Sequence, residues 1–266
     1  SSELGIQPEM ETQNLYLTLV EQRRQAVRRD SGQSVEVLYG RKEELGELQG
    51  IFDQFRWNPY SRLVLISGEA GIGKTMLVQQ FLRTETADHV KTVEANCYQQ
   101  EETFLLKPWQ PIFSELAEFI EDANIELPLN WIRQISLQFP IFESLLINVN
   151  EDTHTEKTPG RLHQPLLEAV VGVFKKVAAQ RPLLILFEDL QWMDLTSLQL
   201  MQRILQSFSL PVFFVATVRE GYEEQLGGLT ALASRKGILY RIPLERFSEE
   251  ETRGWILRET AGLAAT

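Results

Sequence analysis

The sequence predicts an α/β fold in which a parallel sheet is flanked by helices and preceded by an N-terminal helical segment. Short, continuous apolar runs, which suit strands buried on both faces, alternate with segments of helical periodicity. A glycine-rich turn also joins the first apolar run to the helix that follows it. Alternation of this kind is typical of a sheet that helices cover on both faces.

The elements are expected in a regular order along the chain. Helices are predicted at about residues 12–29, 42–55, 74 onwards, 109–146 with breaks at Pro128 and Pro140, 162–179, 197–206, 229–234 and after Ser248. Strands are predicted at residues 63–66, 91–95, 183–187, 212–218 and 238–242. Residues 30–34 and 148–159 are polar and are expected to form a linker and a loop.

The composition disfavours several classes of function. The chain has 26 Lys+Arg against 37 Asp+Glu and a net charge of −11, and phosphate backbones need clustered basic residues, so we expect no direct nucleic-acid contact by this chain. No apolar run approaches the roughly 20 residues that cross a bilayer, so we expect a soluble protein without membrane contact. Cys97 is the single cysteine, which suits the reducing cytoplasm, and we expect it to be a buried small hydrophobe.

Residues 68–75 form a phosphate-binding motif. They read G-E-A-G-I-G-K-T and match G-x-x-x-x-G-K-[ST], with an apolar strand before them and a helix after them, as the motif requires. Glycines let the backbone amides turn towards phosphate oxygens, Lys74 can reach the β- and γ-phosphates, and the Thr75 hydroxyl can bind Mg²⁺. The predicted nucleotide-binding residues here are Gly68, Gly71, Ile72, Gly73, Lys74, Thr75 and Met76.

An acidic pair at the end of another strand is expected to complete the site. The run 183–187 is followed directly by Glu188 and Asp189. In such sites one acid holds Mg²⁺, usually through water, and the other orients or deprotonates the attacking water. By register Glu188 takes the metal position and Asp189 the base position, but the sequence leaves both roles open, so Thr75, Glu188 and Asp189 are all candidate metal ligands.

Two further segments are candidates for nucleotide contact. Arg219 ends a predicted strand and could reach the γ-phosphate, which makes it a third candidate catalytic residue beside the two acids. Alternatively, it is a surface arginine that pairs with Glu220 or Glu223. Gly40 and Arg41 lie upstream of the first strand, where the chain could cup the adenine, and the alternative for them is a turn that starts a helix.

Taken in this order, the motifs resemble the STAND class of P-loop ATPases, which belongs with the AAA+ type of P-loop NTPase fold. The likeness is to the nucleotide-binding module of large bacterial transcriptional regulators of the MalT, LAL and SARP type. The most specific part is residues 188–194, which read E-D-L-Q-W-M-D where the family has D-D-L-H-W-A-D. The other segments that carry the resemblance are Tyr39-Gly40-Arg41 with Glu44-Leu45, and residues 68–75, 95–98, 108–111 and 215–219.

This resemblance implies a regulatory ATPase with ATP or ADP and Mg²⁺ as cofactors. It implies slow hydrolysis, self-association on activation, and contact with other domains of a full-length regulator. Residues 1–35 resemble the helical tail of a bacterial transcriptional activator domain with a linker. Residues 36–247 would then be the ATPase core and residues 248–266 the start of a helical lid.

Two departures from the family's signature affect the activity that we expect. Glu188 replaces an aspartate and Gln191 replaces a histidine, which puts the rate of hydrolysis in question more than nucleotide binding. A GTPase is disfavoured because the chain lacks a plausible N/T-K-x-D guanine motif. The alternative function is a non-catalytic scaffold that binds nucleotide for stability and serves protein–protein interaction.

Overall fold

The computed structural model describes residues 39–85, 90–146, 162–207 and 210–263. The predictions for residues 1–35 and 148–159 lie outside these ranges. The strands are β1 (Arg62–Gly68), β2 (Lys91–Asn96), β3 (Leu183–Glu188), β4 (Val212–Arg219) and β5 (Leu239–Leu244). The helices are α1 (Lys42–Trp57), α2 (Lys74–Glu85), α3 (Trp109–Asp122), α4 (Leu129–Ser136), α5 (Gln164–Gln180), α6 (Leu195–Gln206), α7 (Gly227–Arg235) and α8 (Glu249–Leu263).

The five strands form one parallel sheet in the order β2-β3-β4-β1-β5. This arrangement confirms the predicted α/β class. Strand β1 lies between β4 and β5, so the order of the strands along the sheet reverses beside β1. Because the strands are parallel, the carboxyl ends of β1, β3 and β4 lie next to one another along the same side of the sheet. Ligands of open α/β sheets bind at that edge, outside the point where the strand order reverses.

Two aromatic clusters cover the two faces of the sheet. Because side chains alternate along a strand, the neighbours Phe213 and Phe214 on β4 point to opposite faces. Phe213 packs on rings from α1 and α2 on one face, namely Phe52, Phe55 and Phe81. Phe214 packs with Trp109 and Phe187 on the other face. Trp109 is fully buried, as are its helix neighbours Phe113 and Leu116, so this helix contributes to the core.

Several observed elements differ from their predicted bounds, and two of these differences have a clear physical reason. The segment from Pro140 to Leu145 is a 3₁₀ helix, although an α-helix was expected after the proline. Strand β5 runs to Leu244, two residues beyond the predicted end, and includes Pro243. This strand is at the edge of the sheet, where a proline without an N–H group is tolerated.

Helix α8 begins with a capping box. The Ser248 hydroxyl accepts from the Glu251 N–H at 3.2 Å, and the Glu251 carboxylate accepts from the Ser248 N–H at 2.8 Å. This pairing confirms the predicted helix start after Ser248. Among the described helices, none combines the length and the hydrophobicity needed to cross a membrane.

Candidate nucleotide-binding site

The phosphate loop, residues 68–75, connects β1 to the amino end of α2. Gly68, Gly71 and Gly73 have φ values of 153°, 77° and 102°, which side chains disfavour. At Gly68 a Cβ would also lie 2.8 Å from the Leu244 carbonyl oxygen, so the approach of β5 to the loop requires a glycine there. Since α2 starts at Lys74, the positive end of its dipole faces the loop, which favours a bound anion.

Lys74 is folded into this loop and is only 8% exposed. Its Nζ donates to the carbonyl oxygens of Gly68 at 2.8 Å and Glu69 at 2.7 Å. Burial lowers the pKa of Lys74, while the negative charge of Asp189 acts in the opposite direction. The one cation of the predicted motif is therefore held at the loop where phosphate oxygens would bind.

Thr75 and Glu188 meet at the carboxyl edge of the sheet. The Thr75 Oγ1 donates to Glu188 Oε2 at 2.7 Å, although the two residues come from different strand–loop units. Burial raises the pKa of Glu188, and the hydrogen bond from Thr75 acts in the opposite direction. Hydroxyl and carboxylate oxygens are ligands that Mg²⁺ prefers, and a cation beside Glu188 would offset the cost of burying its charge. These two residues fit a magnesium ion.

Asp189 follows directly and has a left-handed backbone, with φ 55° and ψ 49°. Its N–H donates to the Thr217 hydroxyl on β4 at 2.9 Å. The Arg219 Nε lies 3.7 Å from Asp189 Oδ1, so the arginine forms an ion pair that the sequence did not suggest. Non-glycine residues in this conformation are concentrated at functional sites. The three predicted catalytic residues therefore lie together: Glu188, Asp189 and Arg219.

Gln191 connects two of these residues and was singled out in the sequence only as a departure from a signature. Its side chain is 2% exposed. The Nε2 donates to Asp189 Oδ1 at 2.8 Å, and the Oε1 accepts from the Arg219 N–H at 3.1 Å. The position two residues after Asp189 was the sequence signal that could have identified it.

The guanidinium of Arg41 is engaged by other parts of the protein. Arg41 is 4% exposed and follows Gly40, whose φ is 68°. Its contacts are the Ile72 carbonyl at 3.3 Å, the Glu245 carbonyl at 2.7 Å, the Glu44 carboxylate at 2.9 Å and the ring of Phe247 at 4.4 Å. The structure thus joins Arg41 to the phosphate loop through Ile72, and contact of Gly40, Arg41 or Met76 with a nucleotide stays a prediction.

The last part of the 188–194 segment has a structural role. Asp194 caps α6 by accepting from the Ser197 N–H at 2.9 Å, and it also accepts from the Leu106 N–H at 3.2 Å. Trp192 packs edge-to-face on Tyr222 with the ring centroids 5.5 Å apart. These contacts hold the segment that follows Asp189 in place.

At the mouth of the loop, Arg246 forms a surface ion pair that the sequence reasoning missed. Its Nε and Nη2 donate to the same carboxylate oxygen of Glu69, at 2.9 and 2.7 Å. The two residues are 177 positions apart in the sequence, and no local pattern links them.

The sheet order, the glycine-rich loop after β1 and the acids at the end of β3 define a P-loop ATPase fold. Within that class, the chain belongs to the family described as the AAA ATPase domain, whose model matches residues 37–215. Both the predicted fold class and the coarser part of the predicted family are confirmed by this match.

The chain is similar to several longer proteins. It is 25% identical over 202 residues to an uncharacterized protein of Rhizobium meliloti (strain 1021), which is 71% of this chain and 19% of that protein. The crystal structure of Cdc6p from Pyrobaculum aerophilum matches 85% of this chain and 50% of its own, with a TM-score of 0.50 and 12% identity. The ADP form of the Aeropyrum pernix ORC2 protein matches 86% of this chain and 54% of its own, with a TM-score of 0.49 and 14% identity.

The chain therefore spans about half the length of these two structures and about a fifth of the Rhizobium relative. At this level of identity, the likeness to Cdc6p shows the fold alone.

Proposed function

We propose that this chain binds ATP with Mg²⁺ and hydrolyses it slowly, as a switch that regulates self-assembly of a bacterial transcriptional regulator. The observation that carries the ATPase part is the 2.7 Å hydrogen bond between Thr75 and Glu188. It joins the phosphate loop to the acid of a second strand, beside the buried ammonium of Lys74. The regulatory part rests on the sequence resemblance to the STAND class.

The residues of the site divide into three roles. Lys74 binds the β- and γ-phosphates, together with the loop amides and the amino end of α2. Thr75 and Glu188 hold Mg²⁺, which when bound neutralises charge on the phosphate oxygens. Asp189 accepts the proton of the attacking water, and Arg219, whose Nε is 3.7 Å from Asp189 Oδ1, is assigned to sense the γ-phosphate.

A switch requires that ATP and ADP favour different forms of the protein. A ligand moves such an equilibrium only by the difference in its affinity for the two forms. In this proposal, the form that ATP favours is the one that self-associates. Hydrolysis of the ATP returns the chain to the ADP form. Slow hydrolysis suits this role, because the ATP-bound form must persist long enough to assemble.

The test of nucleotide binding is a titration of ATP and ADP, with and without Mg²⁺, into the wild type and the Lys74→Ala variant. We expect Lys74→Ala to abolish binding, because it removes the only lysine of the phosphate loop. Lys91→Ala is the matched control, since Lys91 pairs with Glu115 at the amino end of β2, away from the site. Unchanged ATP affinity in Lys74→Ala would refute the assignment of the phosphate loop as the nucleotide site. A guanine nucleotide retained on purification would refute the assignment of adenine as the base of that nucleotide.

Phosphate release distinguishes the ATPase from the scaffold. ATP binding without turnover above the Lys74→Ala level would favour a non-catalytic scaffold.

The switch is tested by measuring the mass in solution by light scattering with ADP and with a non-hydrolysable ATP analogue. A mass that does not depend on the nucleotide would remove self-assembly from the proposal.

A further inference from the structure

We propose that Gln191 is a positioning residue for ATP hydrolysis, which holds the Asp189 carboxylate in a fixed orientation against the end of β4. This inference rests on the proposed function, because it takes Asp189 as the acceptor of the proton from water. Gln191 acts through Asp189 and Arg219. It is assigned no contact with the nucleotide.

The two hydrogen bonds of the Gln191 side chain determine which way its amide faces. The Arg219 N–H is a donor, so the group that it meets at 3.1 Å must be the carbonyl oxygen Oε1. The amide nitrogen must then face Asp189, where it donates to Oδ1 at 2.8 Å. The Gln191 side chain is 2% exposed, so its amide is shielded from water, whereas the Asp189 carboxylate that it holds is 40% exposed and open to a water molecule.

This arrangement distinguishes the two oxygens of the Asp189 carboxylate. The Gln191 amide and the Arg219 guanidinium both approach Oδ1, at 2.8 and 3.7 Å. Because both contacts fall on Oδ1, we assign Oδ2 as the oxygen that accepts the proton of the attacking water. A carboxylate that could rotate freely would present either oxygen in many orientations, and orientation is a large part of what an enzyme contributes.

The main chain of Asp189 is tied to the same strand. Its N–H donates to the Thr217 hydroxyl at 2.9 Å, and Thr217 is buried on β4. Asp189 is thus attached to β4 twice. Its backbone is bound to Thr217, and its carboxylate is bound to the backbone of Arg219 through the side chain of Gln191. As Arg219 ends β4, a shift of the arginine towards the γ-phosphate would be transmitted to the Asp189 carboxylate.

Three variants of Gln191 separate its two bonds. Gln191→Leu has a similar size and removes both bonds. Gln191→Glu keeps an acceptor for the Arg219 N–H and replaces the donor to Asp189 with a carboxylate oxygen. Gln191→His restores both, because a neutral imidazole carries one donor and one acceptor.

The expected result is a loss in kcat without a loss in ATP affinity. A base displaced by about 1 Å loses about 100-fold in rate, and we expect this loss in Gln191→Leu and Gln191→Glu. The Kd of ATP should stay within about twofold, because an interaction needed only for the chemical step does not change ground-state binding. Gln191→His should recover kcat to within about tenfold of the wild type.

Ser61→Ala is the control for a purely structural effect. The Ser61 hydroxyl is buried and donates to the Leu210 carbonyl at 2.7 Å, at the amino end of β1, on the opposite edge of the sheet. Its removal should lower the unfolding temperature and leave kcat unchanged.

Each outcome separates this inference from the function on which it rests. Wild-type turnover with an unchanged kcat in Gln191→Leu would overturn the inference and leave the ATPase intact. If the leucine variant does not fold, an unchanged kcat in Gln191→Glu overturns it in the same way. A histidine variant as slow as Gln191→Glu also overturns it. Wild-type turnover no higher than that of Lys74→Ala would overturn the proposed hydrolysis and the inference together.

Discussion

Asp194 joins helix α6 to the loop that precedes α3, and its replacement is the most direct test of how this fold is held together. The carboxylate is 3% exposed. One oxygen accepts from the Ser197 N–H at 2.9 Å, and the other accepts from the Leu106 N–H at 3.2 Å and from the Ser197 hydroxyl. Asp194→Ala leaves these donors without an acceptor.

The cost can be estimated from the two parts of this arrangement. Loss of the helix cap costs about 1 kcal/mol. Leaving the buried N–H of Leu106 without a partner costs about 1–3 kcal/mol more. The free energy of unfolding should therefore fall by about 2–4 kcal/mol, which for a domain of this size lowers the unfolding temperature by about 4–16 °C.

Circular dichroism of thermal and urea unfolding measures this change. Asp53→Ala is the matched control, because Asp53 is an exposed acid on α1 whose ion pair with Arg56 is 3.6 Å long. Its effect should stay within about 0.5 kcal/mol. Asp194→Asn, which keeps one acceptor oxygen, should fall between the two. An Asp194→Ala variant that unfolds within about 1 °C of the wild type would refute the reasoning.

Three further outcomes are expected. Gly172→Ala should lower the free energy of unfolding by about 1–3 kcal/mol, because a Cβ there would lie 2.3 Å from Trp131. A double-mutant cycle with Trp131→Ala should show coupling, and strict additivity would contradict the clash. Cys97 is buried, which raises the pKa of its thiol, so a disulfide reagent should label it only in urea; rapid labelling of the native protein would contradict this. Glu188→Gln should weaken the Mg²⁺ dependence of ATP binding, measured by titrating Mg²⁺ at fixed ATP, and an unchanged dependence would assign the metal to Asp189.

The fold and the phosphate loop were accessible from the sequence because their signals are local. Strands β1, β3 and β4 each contain a continuous apolar run, since their central residues are buried on both faces of the sheet. The glycines at 68, 71 and 73 reflect backbone angles that side chains disfavour. The strand order was not accessible, because the placement of β1 between β4 and β5 depends on contacts between distant segments.

The site was predictable to the extent that strand ends meet at one edge. The meeting of Thr75 with Glu188 follows from that rule and from two motifs. The bond from Gln191 to the Arg219 backbone spans 28 residues, and that from Arg41 to Glu245 spans 204. In each of these two bonds one partner is a backbone group, and the type of a residue does not show what its backbone will bind. No sequence pattern could therefore have indicated either bond.

The buried guanidinium of Arg41 joins two segments that are far apart in the sequence. It connects the Ile72 carbonyl, in the phosphate loop, with the Glu245 carbonyl, after β5. Pulling the two apart would leave a buried charged donor without its partner, at a cost of about 1–3 kcal/mol. The phosphate loop and the segment that leads from β5 towards α8 are therefore coupled through one buried side chain.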